Sequence, residues 1–161
     1  MSELSYDRMS PEFALVQALS TVPVIADPAG GEPKVGAMQP KKDWKAPFVF
    51  YIPFVDDEDE ALDGPTGLQS FTAQLHCVAG THRGLQLLCQ RCKKALKNMR
   101  GAVYSTPEHD PEDGAKGTVL IENVTLEQSS PDLVEMEVGL YRRMYAVRLE
   151  FQTEEVRENE D

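Results

Sequence analysis

The sequence predicts an α+β fold, with a short N-terminal helix, one longer helix and strands gathered into two groups. Three observations carry this. Residues 70–79 alternate apolar and polar side chains with strict period two, residues 85–99 place apolar side chains at helical spacing, and residues 118–153 hold three further strand-like runs parted by turn residues. At 161 residues the chain fits a single domain, 1–161, whose folding would bury roughly 70% of its unfolded surface.

The first element is "SPEFALVQALS", read as a helix over about 10–20. Ser10 is the expected N-cap, Pro11 the first helical residue, and Glu12 sits in the first turn, where the helix dipole favours an acid. Phe13, Val16 and Leu19 are its expected apolar stripe. Residues 21–45 are rich in Pro, Gly and Ala without a sustained period and read as a linker or arm. The core is expected over about 46–153.

Residues 46–55 read as a strand that is apolar on both faces: Phe48, Phe50, Ile52 and Phe54 on one, Val49, Tyr51 and Val55 on the other. Such a strand must be covered twice. Pro53 cannot donate to a ladder, which predicts an edge or a bulge there. In the next strand Phe71, Ala73, Leu75, Cys77 and Ala79 oppose Ser70, Thr72, Gln74 and His76, the mark of a half-buried strand. The long helix carries Leu85, Leu88, Cys89, Cys92, Leu96 and Met99 as one stripe, and Gly101 stands where a C-cap belongs. "YSTPEHDPEDGAKG" is a turn-rich loop, followed by strands near 118–128, 133–140 and 142–153 with "SSPD" as a turn. In the last strand Tyr145, Val147, Leu149 and Phe151 alternate with Arg148, Glu150 and Gln152. The acidic tail 154–161 is expected to fray.

The composition, 41% hydrophobic and 27% charged, is that of an ordinary globular domain. A net charge of −11 argues against nucleic-acid binding, which needs an excess of Lys and Arg. No basic and apolar leader opens the sequence, and its longest nearly apolar run, 46–55, holds two prolines and is half a membrane helix. We expect a soluble chain made in a cytoplasm, with no membrane partner. Three cysteines fit a reducing compartment better than a disulfide framework. The charge is uneven: six acids lie between Asp56 and Asp63, whereas residues 82–100 hold six Lys or Arg and no acid. Loop and helix could meet and set the register of an association.

Candidate chemistry is thin. Cys89 and Cys92 form a CxxC, but both fall mid-helix on the apolar stripe instead of at the N-terminus, where the dipole would lower a thiol's pKa. His76 and Cys77 are neighbours in a strand and point to opposite faces, so they do not share a site. The acids Glu108, Asp110, Glu112 and Asp113 do not follow EF-hand spacing. No phosphate-binding glycine loop, Gly-x-Ser-x-Gly or His-Glu-x-x-His occurs. The expected site therefore has no catalytic residue, no metal and no cofactor.

"LDGPTGL" leading into the alternating strand, "CVAGTHRGLQLLCQRCKKAL" as strand, short loop and helix, and "YRRMYAVRLEF" as closing strand together resemble the tail-completion, or tail-terminator, proteins of long-tailed phages. The resemblance covers roughly residues 46–153. It implies a mainly antiparallel sheet with helices packed on it, and self-assembly into a ring, usually a hexamer, in the tail or neck of a virion put together in the host cytoplasm. Such a ring caps the finished tube of tail tube protein, ends its growth and meets the head connector; DNA passes through the lumen without specific binding. The alternative in the same class is a neck adaptor that joins head to tail without terminating the tube. The resemblance departs from a minimal member at 21–45 and in the acidic insertions.

On that basis the expected subunit interface comprises Phe48, Phe50, Ile52, Phe54, Asp56, Asp57 and Glu58, facing Arg83, Lys93, Lys94, Lys97 and Arg100 of a neighbour. Lys42, Trp44, Lys45, Asp63 and Thr66 are the expected contacts with tube or connector.

Overall fold

The computed structural model describes residues 11–23, 33–54, 69–105, 116–135 and 138–156. Two helices, α1 (Glu12–Ser20) and α2 (His82–Lys97), pack on one face of a seven-stranded, mainly antiparallel sheet, an α+β fold. The strands are β1 (Val35–Ala37), β2 (Phe48–Pro53), β3 (Gln69–Ala79), β4 (Val103–Ser105), β5 (Lys116–Gln128), β6 (Leu133–Glu135) and β7 (Leu140–Val156). Their order is β1-β2-β3-β7-β5-β4, with β6 also paired to β7. β7 is the axis of the sheet: β3 lies along 141–151 on one side, and β5 and then β6 lie along the other.

The alternation read in the sequence sets which face is covered. Ala73, Leu75, Cys77 and Ala79 of β3 and Tyr145, Val147, Leu149 and Phe151 of β7 join Val49 and Tyr51 beneath the helices, each at most 5% exposed. From α2 come Leu85, Leu88, Cys89, Cys92 and Leu96, with Met99 just past its end. Thr81 starts that helix by accepting a hydrogen bond from the Gly84 N–H at 2.9 Å, as an N-cap should. Gly101, with φ +81°, turns the chain out of it. α1 is held to β2 where the Tyr51 hydroxyl donates to Glu12 Oε1 at 3.0 Å.

Several local expectations change. Ser10 lies outside the described residues, and Pro11 occupies the cap position of α1 with no side-chain cap bond. The buried face of α1 is Ala14, Leu15, Ala18 and Leu19, with Phe13 and Val16 at its margin, because the helix packs against both α2 and the sheet. The segment 21–45 contains β1, which pairs parallel to β2 at residues 49–51. β6 stops at Glu135 and β7 begins at Leu140, since Gly139, at φ +67°, turns the chain between them. β4 was not foreseen, for three residues show no period. Pro53 lies beyond the last residue paired to β1, where its missing N–H meets no ladder, so the strand is locally an edge as expected.

β3 is not simply half-buried. On the face away from the helices, Phe48, Phe50 and Val78 form a second apolar cluster with Trp44, Ala46, Ile52 and Leu140 beside it. His76, assigned to the polar face, is 6% exposed and stacks on Phe50 with centroids 4.4 Å apart. Burial and then the nearby Arg142 guanidinium lower its pKa, so the ring is held neutral; Nε2 meets Gln74 Oε1 at 2.9 Å.

Candidate subunit interface

The basic side of α2 is built by helical phase. With its apolar stripe fixed against β3 and β7, the helix turns Arg83, Lys93, Lys94 and Lys97 outward, with Arg100 in the turn just past its end, and all five are exposed. Lys93 Nζ lies 5.3 Å from the centroid of the Tyr145 ring, so one of the five cations also packs on the fold. The acidic residues read as its counterpart, Asp56, Asp57 and Glu58, lie outside the described residues, as do Asp63 and Thr66.

The aromatic strand divides. Phe48 and Phe50 are each 8% exposed within this chain, Ile52 is half-buried, and Phe54 is 50% exposed just past the end of β2. Trp44 stacks at an angle on Phe48, centroids 6.2 Å apart, and is half-buried, while Lys42 and Lys45 stand in solvent. Gly36 makes room for this: a Cβ there would lie 2.6 Å from the Gln39 carbonyl oxygen and 3.3 Å from the Trp44 ring. Lys34 Nζ then donates to the Lys45 carbonyl at 2.9 Å, tying the "KKDWK" stretch to β1.

Sequence reading missed an ionic clasp on the helix side of the sheet. Asp132, in the turn between β5 and β6, accepts from Arg143 Nε at 2.5 Å and from its Nη2 at 2.8 Å, and also meets His82 Nε2 at 3.2 Å. Arg143 Nη1 reaches the Tyr145 hydroxyl at 3.3 Å. The Arg143 hydrogen bond holds the Asp132 carboxyl below its ordinary pKa, and Asp132 in turn raises that of the guanidinium. The clasp joins the start of α2, the β5–β6 turn and β7. Its only trace in the sequence is an Asp in a turn and an Arg on a face otherwise apolar.

Beneath it sit the three cysteines, all free and at most 1% exposed. The neighbouring thiols of Cys89 and Cys92 on α2, and burial, push the Cys77 thiol of β3 up, whereas Cys89, beside Cys77, Tyr145 and Arg143, is lowered to about 7. Tyr145 is pushed up to about 12, chiefly by burial. Among the described residues no three His, Cys, Asp or Glu side chains are placed to hold a metal ion. An acidified thiol without access waits on local opening of the helix. Native protein is therefore expected to react with a thiol reagent at pH 7.5 at least a hundredfold slower than unfolded protein; three rapid equivalents would mean that α2 lifts freely from β3.

No family model and no curated protein matches the chain. Among solved structures it is similar to a chain of the virion of native gene transfer agent (GTA) particle, with 12% identity, a TM-score of 0.47, and coverage of 85% of this chain and 90% of that chain.

Proposed function

We infer that the protein is a structural component of a phage-like virion, a ring, most simply of six copies, that caps the completed tail tube and presents the surface met by the head connector. The observation that carries this reading is the unit made by β3, α2 and β7. Two of the three stretches behind the phage resemblance fall in it: "CVAGTHRGLQLLCQRCKKAL" is strand, Thr81-capped junction and helix, and "YRRMYAVRLEF" is the strand paired along the whole of β3. The third, "LDGPTGL", lies outside the described residues.

The physical demands of a cap agree with it. One side must match the last ring of the tube, and the other must not repeat the growing surface, a task for shaped faces rather than a nucleophile. The exposed cations of α2 serve as one side of a subunit contact. The sheet face turned from the helices bears Glu122, Glu127, Glu135 and Glu150 against Arg142 and Arg148, an acidic excess that supports a lumen repelling the phosphates of passing DNA.

Reversing Lys93 and Lys94 to Glu is expected to raise the dissociation constant of the ring about tenfold at low salt, and less at 0.3 M salt, because exposed charges are screened beyond a Debye length. Sedimentation across a salt series reads this. Assembly unchanged by the reversal would remove α2 from the contact. The length of tails made without the protein decides between cap and adaptor.

A further inference from the structure

Among the described residues the sheet leaves one long edge open. β5 is paired to β7 on one side, but on the other β4 covers only Thr118, Val119 and Leu120, and Gly101 and Ala102 bond Ile121. The register shift between Ile121 and Asn123 resets the strand, and from Asn123 to Gln128 no described strand lies along its outer side. Alternation settles which backbone groups point there. The Ser129 N–H donates to the Met144 carbonyl at 2.9 Å, so the odd-numbered residues of this run face β7, and Val124, Leu126 and Gln128 turn their N–H and C=O groups outward. The side chains of Val124 and Leu126 rest half-buried at the margin of the core. Free backbone groups beside apolar side chains are a template for a further strand.

The opposite edge of the sheet does not supply that strand. β1 has three residues, its Val35 N–H already donates to the Pro33 carbonyl at 2.9 Å, and its Ala37 carbonyl accepts from the Gln39 N–H at 2.8 Å. β4 is equally short. A sheet continued from the β5 of one copy into β1 or β4 of the next would leave most of the open run bare.

What fits β5 is β5 itself. We propose that two copies pair through this edge, antiparallel about a two-fold axis at Thr125. In that register "ENVTLEQ", residues 122–128, meets its own reverse: Val124 lies opposite Leu126, Asn123 opposite Glu127, and Glu122 opposite Gln128. Apolar meets apolar, and each glutamate meets an amide instead of another acid, in a chain of net charge −11. The outward backbone groups agree: Val124 and Leu126 exchange hydrogen bonds across the axis, and Thr125 faces Thr125 as the close, non-hydrogen-bonded pair. A strand of another protein has no need of this self-match, so the occupant is a second copy. The inference goes beyond the ring reading and does not rest on it, for the pairing uses none of the α2 cations and no residue of β2.

Thr125 is exposed and lies opposite Arg148 in its own sheet, so Thr125→Glu gains an ion pair within each chain while setting two carboxylates face to face across the axis. By sedimentation velocity at low salt, the unchanged protein is expected to dimerise at high micromolar concentration and the Thr125→Glu form to do so about tenfold more weakly. Mild oxidation of the Thr125→Cys protein is expected to link two copies through that position. Side chains of such a pair lie within about 5 Å, and the native thiols are buried. Hydrogen exchange supplies a readout that misfolding does not imitate: the Val124 and Leu126 amides are expected to gain protection as concentration rises, while Thr125, bonded to β7, exchanges slowly throughout. Three results would overturn the pairing: an unchanged protein monomeric over that range, a dimer that Thr125→Glu leaves as strong, or Val124 and Leu126 amides protected equally at every concentration, which would mean that the edge is covered within one chain. Reversal of Lys93 and Lys94 to Glu is expected to leave this dimer unaltered; a dimer that yields to that change and not to Thr125→Glu assigns the contact to α2, removing the β5 pairing and leaving the ring reading standing.

Discussion

Particles assembled without this protein are expected to carry tails of variable and excessive length, with filled heads unattached. A tube of stacked rings grows through unlike surfaces, so every added ring recreates the surface that the next one needs. Such growth stops only when subunits run out or when a component covers the end without renewing it. A single layer of the present chain is proposed to do this, so its loss should widen the distribution of tail lengths severalfold in electron micrographs. Tails of normal length left unjoined would instead assign the protein to the neck, as an adaptor, and intact infectious particles would remove it from the assembly altogether. Supplying the protein in trans should restore the normal length, and the Lys93→Glu, Lys94→Glu form should restore it less well at low salt than at high.

Asp132→Ala is expected to cost about 2–3 kcal/mol of stability, between the roughly 1 kcal/mol of an exposed ion pair and the 3–5 kcal/mol of breaking a buried one. The Arg143 side chain is only 16% exposed, and Asp132 is 24% exposed. Removing the carboxylate thus leaves a guanidinium with little water to turn to. Arg143→Met should cost less, since the remaining carboxylate is better hydrated and still has His82 beside it. For a domain of this size the Asp132→Ala change should lower the melting midpoint by about 5–10 °C at pH 7. The pH dependence has a definite sign. A carboxyl whose pKa is depressed by folding binds its proton first in the unfolded chain, so its contribution is complete above the ordinary carboxylate value near 4 and is lost as pH falls through the lower folded value. The gap between Asp132→Ala and the unchanged protein should therefore hold from pH 7 to about 5 and narrow below 4. A gap constant into strong acid would mean that the loss arises from turn conformation rather than charge.

How much was legible depended on the range over which the controlling interaction acts. The stripe of α2 and the alternation of β3 and β7 were readable residue by residue, because a single apolar surface dictates each period. β1 was not. It exists because the Gly36 backbone can lie close to Trp44 beside a neighbouring strand, and nothing local to "VGA" announces that. His76 was placed on a polar face by alternation, but the second aromatic cluster on β2 covers that face at the end near Val78, and only the pairing of Phe50 with His76 reveals it. The clasp was hidden because Asp132 and Arg143 stand eleven residues apart and meet through the turn that brings β6 beside β7. Of the expected interface, the cations followed from helical phase alone.

The central position of β7 also sets when this molecule can exist. Gln69 pairs with Phe151 and Ala79 with Tyr141, so every bond between β3 and β7 closes a loop of more than sixty residues. Such pairings are slow to form, because chain entropy is lost before contacts return it. They also come late in synthesis: until β7 has left the ribosome, the edges of β3 and β5 that it joins have no strand between them, and α2 has only half a floor. Before β7 is in place a nascent chain thus has no finished faces. The same strand that divides the sheet acts as a keystone, and the two halves on either side of it become one core only when it is laid between them.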